Sequence, residues 1–163
     1  MAKIMIVEYE PSHAVQLLDE LRSFEAETLA RNDRGRDDFL AWCEHMSKYA
    51  IMGTFMAGDR VAAIFSSLRV NPSTAEIWAF TGRAVDDNVR EFWKASVRGL
   101  ETMSEILKDV TRLQCHVDAR NHKSMAWVER LGFCCETPAG MKNYGQSDET
   151  FMLYSRLLGG RHG

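Results

Sequence analysis

Two stretches of the sequence hold most of the side chains able to do chemistry. In RLQCHVDARNHKSMAWVERLGFCCE, residues 112–136, His116 and Asp118 alternate onto one strand face and His122 follows closely. Two histidines and a carboxylate are metal-ligand types, but no further strong ligand is spaced to complete a set, so no metal is assigned. His116 alone can act as a base near neutral pH, or stand as a hydrogen-bonded structural histidine. Asp118 with Asn121 also suits the shaping of a turn. Cys115 or Cys134 would need a neighbouring base to act as an acyl-carrying nucleophile; the sequence places none, and packing explains both. In AEIWAFT, residues 75–81, Glu76, Trp78 and Phe80 share one strand face by alternation. By itself Glu76 reads as an ordinary strand-edge carboxylate. Trp78, Trp93 and Trp127 suit a core, and any of them could line a pocket.

These residues need elements to position them. Leu113, Cys115 and Val117 alternate with polar neighbours, the period of a strand. Asp118–Asn121 breaks it, and Asn121 is a favoured N-cap. Met125, Trp127, Val128 and Leu131 follow at helical spacing, and Gly132 is placed to end that helix in a left-handed conformation. Phe133 and Cys134 begin another extended segment.

Elsewhere, residues 3–9 read as a strand. Pro11-Ser12 opens a helix with Val15, Leu18, Leu21 and Phe24 on its buried side. Residues 25–36 read as a loop or a loose helical piece. Asp37-Asp38 starts a helix whose apolar face is Phe39, Leu40, Cys43 and Met46. Strands at 49–57 and 61–69 are joined through Gly58-Asp59-Arg60, a hairpin signal. A turn at Asn71-Pro72-Ser73 leads into the strand at 75–81. One long helix is expected from Asp87 to Lys108, with Val89, Phe92, Trp93, Val97, Leu100, Met103, Ile106 and Leu107 inward. An irregular segment at 137–148 precedes a final strand, 149–157. The order β-α-α-β-β-β-α-β-α-β-β implies an α/β (α+β) domain: a mixed, mostly antiparallel sheet of six to seven strands with helices on both faces. It spans 1–158, with 159–163 as a frayed tail.

The chain has 163 residues, 45% hydrophobic and 26% charged, which suits one soluble domain. A net charge of −3 argues against a nucleic-acid partner held by phosphate contacts. No apolar run is long enough for a membrane helix, and no signal-peptide core is visible. The four cysteines, at 43, 115, 134 and 135, form no Cys-x-x-Cys pair and read as buried free thiols of a cytosolic protein.

Asn121, Ser124, Trp127, Glu129, Gly132 and Phe133 together match the pattern Asn-x-x-(Ser/Ala)-x-x-(aromatic)-x-(Glu/Lys)-x-x-Gly-Phe. In this the chain resembles the second half of the GCN5-related N-acetyltransferase (GNAT) fold, and the element order extends the likeness over nearly its whole length. The resemblance implies an enzyme that binds acetyl-CoA where the fourth and fifth strands, 75–81 and 112–118, splay apart. Backbone groups of Ala79, Phe80 and Thr81 would pair with the pantetheine arm as an added strand. The pyrophosphate would lie at the start of the next helix, near Arg83. Asn121, Ser124 and Trp127 are carried over as cofactor-binding positions. Glu76 would take a proton from the amine, and Tyr144 would protonate the departing thiolate. The acceptor would be a small-molecule or protein amine, and a homodimer is compatible with the family.

One loop departs from the family. The usual (Gln/Arg)-x-x-Gly-x-(Gly/Ala) is replaced by Thr81-Gly82-Arg83-Ala84-Val85-Asp86-Asp87-Asn88. Asp86 and Asp87 suit the helix dipole. Each would repel a phosphate charge about 4 Å away by about 4 kcal/mol at an effective dielectric of 20, and Arg83 and Arg90 are the expected counterweights. Over residues 76–133 the sequence also looks like GNAT-like proteins of tailed bacteriophages, including the internal virion protein A family. Two functions follow from these likenesses. One is an acetyl-CoA-dependent N-acetyltransferase. The other is a catalytically inactive phage protein that uses the fold in virion assembly or as an interaction module with phage structural proteins.

Overall fold

The structure, a computed structural model, describes residues 2–31, 35–144 and 148–159. Most of the tail expected to fray (160–163) and residues 145–147 of the irregular segment lie outside the described residues. Seven strands hydrogen-bond in the order β1-β2-β3-β4-β5-β7-β6. These are β1 (Ile4–Glu8), β2 (Ile51–Ala57), β3 (Arg60–Asn71), β4 (Thr74–Thr81), β5 (Arg112–Asp118), β6 (Cys134–Cys135) and β7 (Phe151–Leu157). The helices are α1 (Pro11–Asp19), α2 (Ser23–Arg31), α3 (Arg36–Ser47), α4 (Ala84–Asp87), α5 (Val89–Ile106) and α6 (His122–Arg130). The class is therefore the expected mixed α/β sheet: β4 and β5 run parallel, while β1–β2, β2–β3, β5–β7 and β6–β7 are antiparallel. Residue contacts gather in two compact units, Met1–Leu68 with Ala79–Thr102, and Arg69–Trp78 with Met103–Gly163.

In the first unit, the β2–β3 hairpin turns at Gly58-Asp59, with a bulge between Phe55 and Met56. Pro11 opens α1, and His13 closes a capping box by accepting the Glu10 amide at Nδ1 (3.1 Å). The buried face of α1 is Ala14 and Leu17, both 0% exposed, while Val15 is 42% exposed. The expected stripe of Val15, Leu18 and Leu21 is thus out of phase. Ala14 is small enough to let the helix sit close, and Leu21 lies beyond the helix in a bridge to Gly82. Residues 23–31 form a helix, α2, the second of the two alternatives for this region, and residues 32–34 of it lie outside the described residues. In α3, Phe39 and Cys43 are buried as expected, with Leu40 and Met46 half-buried.

The long helix does not begin at Asp87. Asn88 separates α4 from α5 because its buried side chain is held from two sides. Its Oδ1 accepts the Ala2 amide (2.8 Å) and its Nδ2 donates to the Ala84 carbonyl (3.0 Å). The buried face of α5 includes Phe92, Ala95, Ser96, Leu100 and Met103 at the i, i+3, i+4 spacing. Val89, Trp93 and Ile106 are exposed. Small residues line this face, so choosing the largest apolar side chains misassigned part of it.

In the second unit, β5 and β7 pair through all seven residues of β5. Leu113, Cys115, Val117, Phe133 and Tyr154 are buried. The Arg112 guanidinium grips both oxygens of Glu136 (2.7 Å each), and Ser155 adds a further bond to the same carboxylate. Together they hold the Glu136 pKa down at about 2. Asn121 caps α6, its side chain accepting the Ser124 amide (3.1 Å). At the other end the Gly132 amide bonds the Glu129 carbonyl (3.0 Å) and the Phe133 amide reaches Val128 (3.1 Å), the two bonds of a Schellman ending. All four thiols are free. Cys43 and Cys115 are buried, and burial pushes each up to about 12. Cys134 is exposed and Cys135 half-buried, against the expectation of burial, because β6 is a two-residue strand at the end of the sheet order.

Gly132 has φ 85°, where a Cβ costs roughly 1–2 kcal/mol. Gly132→Ala is expected to lose about that much stability in urea unfolding with an unchanged m-value; an unchanged midpoint would contradict this.

Candidate active site

The parallel β4–β5 ladder has three registered pairs: Thr74–Arg112, Ala75–Leu113 and Glu76–Gln114. β4 continues to Thr81 and β5 to Asp118, but their pairing stops at Glu76. In the second unit, Glu76 meets two neighbours at this point. Gln114 Nε2 lies 3.3 Å from its Oε2, and His116 Nδ1 lies 3.2 Å from its Oε1. Gln114 is fixed in turn, since Arg112 Nε donates to its Oε1 (3.2 Å). His116 continues the chain outward: the Tyr144 hydroxyl sits 3.2 Å from His116 Nε2, and the two rings stack at 4.9 Å.

The electrostatics follow from this wiring. The bond from His116 holds the Glu76 carboxyl below the usual carboxylate range, against a partial burial that pushes it up. Burial, and then the negative charge of Glu76, raise the Tyr144 phenol. The His116 side chain is 16% exposed and Glu76 35%, while Tyr144 is 41% exposed, so the tyrosine is the member most open to a substrate. Glu76 and Tyr144, the two expected catalytic residues, are thus joined, and His116 joins them. No local spacing in the sequence connects the three, because His116 stands 40 residues from Glu76 and 28 from Tyr144.

The expected cofactor-binding residues in the first unit have other partners. The Thr81 carbonyl accepts the Arg22 amide (3.2 Å) and its hydroxyl donates to Glu25, whose side chain is buried. The Gly82 amide bonds Ala62 of β3 (2.7 Å) and the Arg83 amide bonds the Glu20 carbonyl (2.8 Å). Strand alternation therefore turns the backbone groups of Ala79 to the same side as those of Thr81, away from β3, and those of Phe80 toward β3. The Phe80 ring packs against Phe39 (4.9 Å) and Trp42 (5.7 Å). In the second unit, the Asn121 side chain and the Ser124 amide are engaged with each other in the α6 cap, and Trp127 is half-buried on that helix.

Asp86 and Asp87 do not present bare negative charge. Arg22 grips Asp86 through Nε (3.2 Å) and the terminal nitrogen (2.7 Å). Arg60 bridges Asp87 (2.9 Å) and Glu20 (2.8 Å). Arg83, one of the two expected counterweights, donates to the Asp19 carbonyl (3.2 Å). Three guanidiniums, of Arg22, Arg60 and Arg83, thus stand among three carboxylates, of Glu20, Asp86 and Asp87. Arg60 and Arg83 line an open polar cavity of about 410 Å³ with those carboxylates. The amides of Val85, Asp86 and Asn88 bond carbonyls of the same loop, so a glycine-rich amide cradle is not what this loop offers an anion.

Gly82 has a packing role instead. A Cβ there would lie 3.0 Å from Leu17 Cδ1, 3.0 Å from the Val61 carbonyl and 3.2 Å from the Glu20 carbonyl. Two of those neighbours are backbone and cannot rotate away. Gly82→Ala is expected to destabilise by about 1–3 kcal/mol, measured by urea unfolding; wild-type stability would contradict the packing role.

Neither a family model nor a curated protein matches the chain by sequence. Solved structures do match. An acetyltransferase of the GNAT family from Bacillus anthracis superposes with a TM-score of 0.74 at 14% identity, covering 96% of each chain. The ribosomal L7/L12 alpha-N-protein acetyltransferase RimL, in complex with coenzyme A, gives 0.72 at 16%, covering 97% of this chain and 96% of that one. Ribosomal-protein-S5-alanine acetyltransferase from Vibrio fischeri gives 0.69 at 15%, covering 96% and 94%. The narrower likeness to phage proteins gains no support from these structures. At such identities the similarity is one of architecture, and over nearly its whole length this chain has the GNAT fold.

Proposed function

We propose that this protein is an N-acetyltransferase that moves the acetyl group of acetyl-CoA to an amine. The observation that carries the reading is the hydrogen-bonded set Glu76–His116–Tyr144 at the end of the β4–β5 ladder. A fold alone does not give an activity; proton-handling groups held on a strand of that fold support one.

In this reading Ala79 offers its backbone amide and carbonyl to the pantetheine arm in the manner of an added strand. The side chain of Arg83 takes part of the diphosphate charge, with Arg22 and Arg60 cancelling the nearby carboxylates. The neutral amine attacks the thioester carbonyl carbon. The C–N bond forms, the C–S bond breaks, one amine proton leaves through the Glu76–His116–Tyr144 set, and the coenzyme A thiolate is protonated. Positioning and electrostatics supply the acceleration. The acceptor is a small-molecule or protein amine. Acetylation of ribosomal proteins by two of the structural neighbours supports the protein class. A phage source rests on the sequence likeness over residues 76–133.

A second reading, a non-enzymatic assembly or interaction module, is favoured by the loop amides of residues 82–88 that bond within the protein. Acetyl-CoA separates the two. Saturating ligand at 100 times its dissociation constant should add about 2.7 kcal/mol to stability, read as a rise in Tm. Arg83→Ala should weaken binding about tenfold, the loss of one charged hydrogen bond. No Tm change at millimolar acetyl-CoA would remove the acetyltransferase reading and leave the module.

A further inference from the structure

We propose that Tyr144 is the single group that exchanges protons with both the amine and the departing thiolate, with His116 holding the proton between the two steps and Glu76 positioning His116. This rests on the acetyltransferase reading and reassigns its roles: Glu76, expected to face the amine, stands at the inner end of the chain.

The direction of each hydrogen bond follows from the donor inventory. A carboxylate only accepts. Gln114 donates to one Glu76 oxygen because Arg112 occupies the amide's own oxygen. The other oxygen faces His116 Nδ1, so Nδ1 carries the hydrogen. In the neutral ring Nε2 is then an acceptor, and the Tyr144 hydroxyl donates to it. This tautomer is assigned from the network. The order Tyr144 O–H, Nε2, Nδ1–H, Glu76 is the nucleophile–base–orienter logic of acyl-transfer sites, with a phenol at the outer end.

Protons balance along this order. As the neutral amine attacks the thioester, its N–H proton passes to Tyr144 oxygen while the phenolic proton passes to His116 Nε2. The imidazolium so formed lies against the Glu76 carboxylate. When the C–S bond breaks, His116 returns its proton to Tyr144 and Tyr144 delivers one to sulfur. The products are the amide and the coenzyme A thiol, and all three side chains are restored.

The surroundings hold the chain in place. Phe151 of β7 packs on the Tyr144 ring (5.6 Å), and the Tyr144 amide bonds the Glu149 carbonyl (3.1 Å). Among the described residues, Glu76 from β4 and Tyr144 bond His116, and next to it on β5 is Cys115, whose thiol burial pushes up to about 12. Asp118, two residues along β5, is tied to Arg120 (2.6 Å). Leu153 of β7, the register partner of His116, brings no charge.

Two measurements on the full chain test this. Nitrogen-15 correlation spectra of the His116 ring at neutral pH should show hydrogen on Nδ1; hydrogen on Nε2 would overturn the relay, whatever the activity. Steady-state kinetics should show His116→Ala losing about a hundredfold in kcat with little change in KM, and recovery with added imidazole. His116→Asn, which keeps a donor toward Glu76, should lose as much. Glu76→Ala should lower kcat at an unchanged KM and leave the His116 ring hydrogen shared between Nδ1 and Nε2 in the same spectra, because the acceptor that fixes the tautomer is gone. Transfer that survives His116→Ala unchanged overturns the relay alone. Absence of transfer by the unsubstituted protein removes the acetyltransferase reading and the relay with it.

Discussion

The early end of the β4–β5 ladder is the constraint on which the candidate site depends. Three registered pairs fix Glu76 opposite Gln114. Parallel strands have evenly spaced, slanted bonds, so this register sets the height of every β5 side chain relative to Glu76. His116, two residues further along β5, is thereby brought within 3.2 Å of the carboxylate. The antiparallel β5–β7 pairing, complete over seven residues, then holds β5 rigid from its other edge. A proton-handling group built on a strand end is placed more accurately than one on a loop. Only the outermost member, Tyr144, comes from irregular backbone, where Phe151 and Glu149 hold it.

The loop after β4 shows how local charge misleads when its partners are distant. Asp86 and Asp87 would repel a diphosphate if isolated. Arg22 and Arg60, 64 and 27 residues away in sequence, turn the cluster into alternating charges. These are exposed ion pairs and contribute little to stability. Their consequence is electrostatic: an anion approaching this surface meets a near-neutral network with Arg83 in it. Meanwhile the loop's single glycine lets β4 pack closely on Leu17 and Val61, and its amide stays within the sheet. The charge this loop offers an anion comes from side chains and not from free backbone amides.

Much of the fold was legible because its signals are local. The alternation at 113–117, the cap at Asn121 and the ending at Gly132 are each decided by a few neighbouring residues, and the structure has all three. The stripe on α1 was misplaced because Ala14, a small residue, takes the buried position that Val15 was assigned. The break at Asn88 was missed because the groups that hold its side chain include the Ala2 amide, 86 residues away. The site was half legible in the same sense. The family resemblance brought forward Glu76 and Tyr144, but the link through His116 depends on strand register and on the return of the chain at 144, which no local spacing encodes.

The central claim is that this strand end handles the protons of acetyl transfer through Tyr144. A crystal structure of the coenzyme A complex tests it most directly. The thiol sulfur should lie within hydrogen-bond reach of the Tyr144 hydroxyl, roughly 3.5 Å, with the Glu76–His116–Tyr144 chain intact. A bound coenzyme A whose sulfur lies beyond reach of Tyr144, or contacts Glu76 directly, would contradict it.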